Sequence, residues 1–274
     1  MIDALQMEFM RHALLAGLLV SLVCGVIGTL VVVNRIVFLA GGIAHAAYGG
    51  IGMAIFLGWP FLAGTLGVAL TAAAAMAAVT LRAKHRADAV VGVIWAVGMA
   101  AGVVLIDLTP GYRSDLMSYL FGSILAVPAA ELAETAAIAA LVVAVVAVGY
   151  PGFLAMSYDP EFARIRGVPV AALYVLMLAL IAASVVIVIR VVGLILVIAL
   201  LTIPPFIAES FSGSLRGMMV RASALSALFT VSGLFLSYAL DLSSGATIIL
   251  VAAAGFGGAL LWRRLFPGRP AQAG

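Results

Sequence analysis

Charge is scarce in this chain of 274 residues, where charged side chains make up 9% of the total. Soluble domains carry about 25%. A soluble fold of this size would lack the polar groups needed to cover its surface. Cysteine is nearly absent too. Cys24 stands alone, which rules out an intramolecular disulfide and a cysteine-rich metal site; it reads as a small buried apolar residue. No Gly-x-x-x-x-Gly-Lys-Ser/Thr phosphate loop occurs, so the chain does not hydrolyse ATP through such a loop. No His-Glu-x-x-His pattern occurs either, and no serine is placed to pair with a histidine base. An intramembrane hydrolase is therefore disfavoured, and no enzymatic activity is expected. Segments of about ten residues with alternating polarity, the mark of a membrane barrel, are missing as well.

What is present is apolar residue, 66% of the chain. The runs are about 17–22 residues long, the length a helix needs to cross a bilayer. The expected class is an all-α polytopic membrane protein forming one domain over 1–274. It should have about nine transmembrane helices, with eight to ten possible. The spans fall near 13–33, 36–57, 61–81, 89–107, 133–150, 170–190, 192–208, 217–239 and 245–262. Breakers and charges separate them: Asn34-Arg35, Trp59-Pro60, 82–88, Pro110-Gly111, Pro151-Gly152, Pro204-Pro205 and Asp241. The first twelve residues, with Asp3, Glu8 and Arg11, lack the basic start and small-residue cleavage pattern of a signal peptide.

Lysine and arginine set the expected orientation. With the N-terminus outside and the C-terminus inside, Arg35, Arg82, Lys84, Arg86, Arg164, Arg166, Arg216, Arg221, Arg263, Arg264 and Arg269 are cytoplasmic. Only Arg11, Arg113 and Arg190 fall outside. The C-terminal tail, 263–274, is then cytoplasmic. Externally, Asp107, Asp115, Glu131, Glu134 and Asp241 form either a solvated rim or a surface that attracts cations or a docking partner. Residues 118–125 are too short to span and are expected as a surface helix. His12 and His85 sit near membrane surfaces and are not expected as ligands.

The internal connection carries Ser157-Tyr158-Asp159-Pro160-Glu161-Phe162-Ala163-Arg164-Ile165-Arg166-Gly167-Val168-Pro169. Asp159 can cap a helix that starts at Pro160. Glu161 suits the positive end of the helix dipole and Arg164 and Arg166 the negative end. Gly167 stops the helix. The pattern predicts a short cytoplasmic helix, about 159–167, which is either an ordinary connector or a lever for a cytoplasmic partner.

The second span contains Ala40-Gly41-Gly42-Ile43-Ala44-His45-Ala46-Ala47-Tyr48-Gly49-Gly50. On a helix Gly41, His45, Gly49 and Gly52 share one face, with Tyr48 beside them. Small residues let membrane helices approach closely. Gly17, Ser21, Gly25 and Thr29 make a similar stripe on the first span, and Gly98 and Gly102 a Gly-x-x-x-Gly on the fourth. His45 therefore faces protein or a pore. Two roles stand open for it: a structural hydrogen bond at a tight helix contact, or a transient contact for a passing metal ion, since imidazole ligates transition metals. Tyr48 joins it on the candidate ion pathway. Glu209, after Pro204-Pro205, either pairs with Arg216 or lines the inner pathway. The double proline is expected to break its helix and to serve as a hinge.

Four stretches together carry a resemblance: the Asp-Pro-Glu-x-Ala-x-x-x-Gly run at 159–167, the Ala40–Gly52 segment with His45, residues 119–125, and Val192–Pro205 with its glycine start and proline end. In this order they resemble the permeases of metal-ion ABC importers, the zinc and manganese uptake family. The resemblance implies a homodimeric pore in a bacterial or archaeal plasma membrane. It implies two cytoplasmic ATPase subunits that bind ATP and magnesium and grip a coupling helix formed by Asp159, Pro160, Glu161, Ala163, Arg164 and Gly167. It also implies an extracellular solute-binding protein that delivers the divalent metal; no cofactor in this chain and no nucleic-acid partner are expected. Many members carry an aspartate four residues before the histidine, where this chain has Gly41. That departure removes a carboxylate–imidazole pair from the helix. The remaining alternative is a self-sufficient channel or secondary transporter, which ordinarily needs several intramembrane charges. Here only His45 and Glu209 qualify.

Overall fold

A computed structural model describes residues 7–83, 87–110, 122 and 124–265. The chain there is helical: α1 (Glu8–Val33), α2 (Val37–Leu57), α3 (Phe61–Arg82), α4 (Ala87–Asp107), a 3-10 turn at Ile124–Ala126, α5 (Ala129–Val148), α6 (Tyr150–Tyr158), α7 (Pro160–Ile165), α8 (Val170–Val192), α9 (Leu194–Glu209), α10 (Leu215–Leu240) and α11 (Ser244–Leu265). Eight of these are long and apolar enough to cross a membrane. The seventh expected span, 192–208, is α9, a shorter apolar helix of 16 residues, or about 24 Å at the helical rise. The surface helix expected at 118–125 lies outside the described residues except for Gly122 and Ile124–Ala126.

The helices α1, α2 and α8 form the interior, and α3, α4, α5, α10 and α11 surround them with large apolar side chains turned outward. Without water at the surface such exposure is the stable arrangement, because lipid takes the place of solvent. Cys24 is fully buried within α1, as a small apolar residue would be.

Contacts sort the helix termini into two ends. At the end where α1 begins, Phe9 packs near Tyr238 of α10, Gly122 lies against the backbone of Val192 and Gly193, and Ile124 reaches Gly17. At the other end Asn34 bonds to Ser157 of α6, and Val32 and Val33 pack with Ala208. Thus α9 runs alongside the later part of α1, toward this second end. Among the described residues, Arg35, Arg82, Arg164, Arg166, Arg216, Arg221, Arg263 and Arg264 gather at the second end, and Arg11 and Arg190 at the first.

Three sequence expectations need correction. Pro204-Pro205 does not break its helix: both sit inside α9, which continues to Glu209. The two missing N–H groups would have bonded to the carbonyls of Leu200 and Leu201. The Leu201 carbonyl faces Gly28 of α1, where an added Cβ would stand only 2.6 Å from it and 2.8 Å from Pro205 Cγ. A neighbouring helix thus packs against the freed backbone, which is how membrane proteins tolerate internal proline. Second, Pro151-Gly152 does not open a loop. Pro151 lies in the first turn of α6, where a missing donor costs nothing; the break falls two residues earlier, at Gly149. Third, Glu209 and Arg216 form no ion pair. Glu209 is exposed at the end of α9, and among the described residues the ion pairs are His12–Glu8 and those of Arg190.

Candidate functional site

From Leu39 to Gly52 every residue of α2 is buried except His45, which is half-buried. The glycines explain the burial. An added Cβ on Gly49 would lie 2.8 Å from the Gly98 carbonyl of α4, and one on Gly52 would lie 2.4 Å from that of Gly102. The two helices meet backbone to backbone, the close approach expected of paired small residues. The Gly-x-x-x-Gly of the fourth span is therefore the counterpart of the second span's glycine face. Tyr48 is buried there and covers Gly102. The small stripe of α1 is used similarly against α10. Gly25 abuts the backbone of Ser223, and Ser21 Oγ lies 3.2 Å from Thr230 Oγ1 while donating to the Gly17 carbonyl.

His45 sits where this seam reaches the surface of the protomer. Its Nδ1 is 2.8 Å from the Gly41 carbonyl. A carbonyl only accepts, so Nδ1 carries the proton, and the neutral ring keeps a lone pair on Nε2. The imidazole stacks on the indole of Trp95 from α4, with ring centroids 3.9 Å apart and planes inclined by 23°. Phe38 backs the same indole at 5.9 Å. Gly41 points toward Trp95 and toward Ile198 of α9. Helices α2 and α4 thus meet at His45, with α9 one helical turn away at Gly41. Sequence reasoning missed Trp95; its signal was an aromatic residue three positions before Gly98, on the helix that α2 grips.

The expected pathway residues are not assembled into one cluster. Tyr48 is locked in the seam and Glu209 stands at the far end of α9. No group of three or more His, Cys, Asp and Glu among the described residues could hold a metal ion. Among the described residues, His45 is the one histidine within the membrane-spanning part of a helix.

The short helix α7 is built as its sequence dictates. Asp159 caps it by accepting from the Phe162 N–H at 2.9 Å, with Pro160 in the first turn. At the other end the Val168 N–H reaches the Ala163 carbonyl (2.9 Å) and the Gly167 N–H that of Arg164 (3.0 Å). Gly167 has φ +80°. Those two bonds and the left-handed glycine are the Schellman closure. Only Ala163 is buried; Phe162 and Ile165 are 56% and 82% exposed. Arg166 lies over the Phe162 ring at 5.7 Å. Two bonds tie the α6–α7 unit to the bundle: Asn34 Nδ2 donates to Ser157 Oγ at 2.9 Å, and the Arg216 N–H donates to Tyr150 Oη at 3.2 Å.

At the first end, Arg190 in the last turn of α8 pairs with Glu131 at 3.0 Å and with Glu134, both near the start of α5. Its guanidinium also lies over Phe61 of α3 at 5.5 Å. Two of the five expected rim acids are thereby neutralised; Asp115 and Arg113 lie outside the described residues.

The ABC 3 transport family profile matches residues 6–262. An uncharacterized membrane protein of Synechocystis sp. is 49% identical, over 96% of this chain and 94% of that protein. The manganese transport system membrane protein MntC of Halalkalibacterium halodurans is 30% identical, over 90% and 85%. Among solved structures, PsaBC from Streptococcus pneumoniae in complex with Fab superposes with a TM-score of 0.87 at 27% identity, covering 96% of this chain and 98% of that one.

Proposed function

The chain belongs to the ABC 3 transport family, and from that premise we propose that it imports a divalent transition metal, manganese or zinc, into the cytoplasm. It is a permease of an ABC metal transport system, a multi-pass membrane transport protein and not an enzyme. The family implies a separate ATPase as partner, which would hold the ATP and magnesium. We read the complex as two permease copies over two ATPase subunits, fed from outside by a solute-binding protein.

The observation that carries this reading is α7. A six-residue helix capped at both ends, with Phe162 and Ile165 bare at the arginine-rich end of the bundle, is a grip for a partner. Lysine and arginine mark the cytoplasmic side, so this end faces the cytoplasm, with the N-terminus outside and the C-terminus inside. Closure of the ATPases then moves α7 and, through Ser157 and Tyr150, the ends of α1 and α10. The matched manganese-transport proteins favour manganese as cargo.

On the membrane side, a half-buried histidine facing lipid would be costly. The His45 surface is therefore best covered by the second copy or by the pathway. A lone imidazole gives the ion a contact that it can leave. Glu209, exposed at the inner end of α9, then meets the ion near its exit, and the Pro204-Pro205 turn flexes between access states.

Replacing Glu161 and Gly167 tests the coupling. The expected result is loss of metal uptake with weakened ATPase assembly; normal uptake with normal assembly overturns the assignment of α7. Metal-stimulated ATPase activity of the reconstituted complex with its binding protein, scanned over metals, identifies the cargo.

A further inference from the structure

We propose that Trp95 is the positioning residue of the His45 contact. Its indole holds the imidazole in place and offers a passing cation a π face beside the lone pair of Nε2. The proposal rests on the reading of His45 as an ion-pathway residue, and it goes beyond that reading by assigning a second member to the contact.

The geometry comes first. His45 has two constraints, the Nδ1–H bond to the Gly41 carbonyl at 2.8 Å and the stack on Trp95 at 3.9 Å. Together they hold the ring and leave Nε2 as its one nitrogen without a partner among the described residues. Trp95 is held in turn by Phe38. An added Cβ on Gly41 would stand 3.7 Å from Trp95 Cζ3 and 3.9 Å from Ile198 Cδ1. A methyl group at position 41 would therefore rest in ordinary contact with the indole edge and Ile198.

The chemistry follows from what surrounds the ring. No acidic cluster accompanies His45 among the described residues, so attraction for a cation comes from Nε2 and from the negative face of the indole. A cation over tryptophan gains about 0.5–2 kcal/mol, depending on desolvation. That range corresponds to about 2- to 30-fold in affinity. It raises occupancy along a path without creating a trap. The imidazole that the indole holds in place also discriminates. Magnesium and calcium demand oxygen ligands, whereas imidazole suits borderline transition metals.

The test uses the full chain with Trp59→Phe and Trp262→Phe, which leaves Trp95 as the one tryptophan. In nanodiscs, Mn2+, Zn2+ and Mg2+ are titrated while Trp95 emission is recorded. The transition metals are expected to change the emission and Mg2+ is not, and His45→Ala abolishes the response. In parallel, uptake is measured in cells carrying the complete transporter. His45→Ala and Trp95→Leu are each expected to raise the apparent KM about three- to tenfold, Trp95→Phe less, and the double variant no more than the larger single change. If His45→Ala alters uptake while Trp95→Leu leaves it unchanged, the inference about Trp95 fails and the reading of His45 stands. If His45→Ala changes neither uptake nor emission, both fail. Equal responses to Mg2+ and Mn2+ overturn the selectivity claim. Trp95→Phe keeps an aromatic stack, so loss of folding in Trp95→Leu leaves a graded variant and the emission assay to decide.

Discussion

Asn34, at the end of α1, donates to Ser157 on α6 across 123 residues of sequence. The same amide satisfies the Leu30 carbonyl in the last turn of α1. One side chain therefore closes a membrane helix and fastens the α6–α7 unit to it. Replacing Asn34 by Leu removes both bonds. A net loss of about 1 kcal/mol per hydrogen bond is expected. In the reconstituted complex the ATPase should still assemble and hydrolyse ATP, while metal transported per ATP falls. An unchanged ratio would show that the Asn34 tie carries no motion.

The seam between α2 and α4 predicts two opposite outcomes for one kind of substitution. Gly52→Ala drives a methyl group into the Gly102 carbonyl, at 2.4 Å, and should destabilise by about 1–3 kcal/mol. Gly41→Ala meets its neighbours at ordinary contact distances, and alanine is the better helix former by about 1 kcal/mol. Thermal unfolding in detergent should therefore fall for the first and hold or rise for the second.

Arg190 is 21% exposed and Glu131 25%, so its ion pairs are screened and modest. A double-mutant cycle on Arg190→Gln and Glu131→Gln should give a coupling of about 0.2–1 kcal/mol. The coupling should shrink as salt rises toward 1 M. Phe61→Leu is expected to weaken it further, because the ring beneath the guanidinium is lost.

The same cycle on Glu209→Gln and Arg216→Gln should give a coupling near zero, since the two residues form no ion pair. Any effect of Glu209→Gln on uptake would then belong to Glu209 alone, at the inner end of α9.

Asp159→Ala removes the one side-chain cap of α7, worth about 1 kcal/mol. In a helix of six residues there is little else to hold the first turn. Co-purification of the ATPase subunit should drop, and Asp159→Asn, which still accepts the Phe162 N–H, should restore most of it.

The helices and α7 were legible because their signals are local. Hydropathy over about 20 residues marks a span, and an Asp-Pro-Glu start with a glycine stop marks a capped turn. The glycine faces of α1, α2 and α4 were legible as faces, though which face met which was not. Trp95 beside His45 was hidden because fifty residues separate them and periodicity carries no information about partners. The prolines misled for the same reason. Whether Pro204-Pro205 ends a helix depends on what lies next to the orphaned carbonyls, and Gly28 sits 172 residues or more before them. The missing ion pair of Glu209 reflects the opposite error. Proximity in sequence suggested a partner that helix direction does not supply.

The contact of Gly28 with the Leu201 carbonyl has a mechanical consequence. Where α1 meets α6, by contrast, the Asn34–Ser157 hydrogen bond pins the two helices, and motion there must break it. At Gly28 a smooth glycine surface bears on a proline ring and an uncommitted carbonyl. Such a joint behaves as a plain bearing: α9 can turn or slip against α1 by a fraction of a helical step without losing a bond. The long helix α1 would then serve as the axle on which the shorter α9 swings.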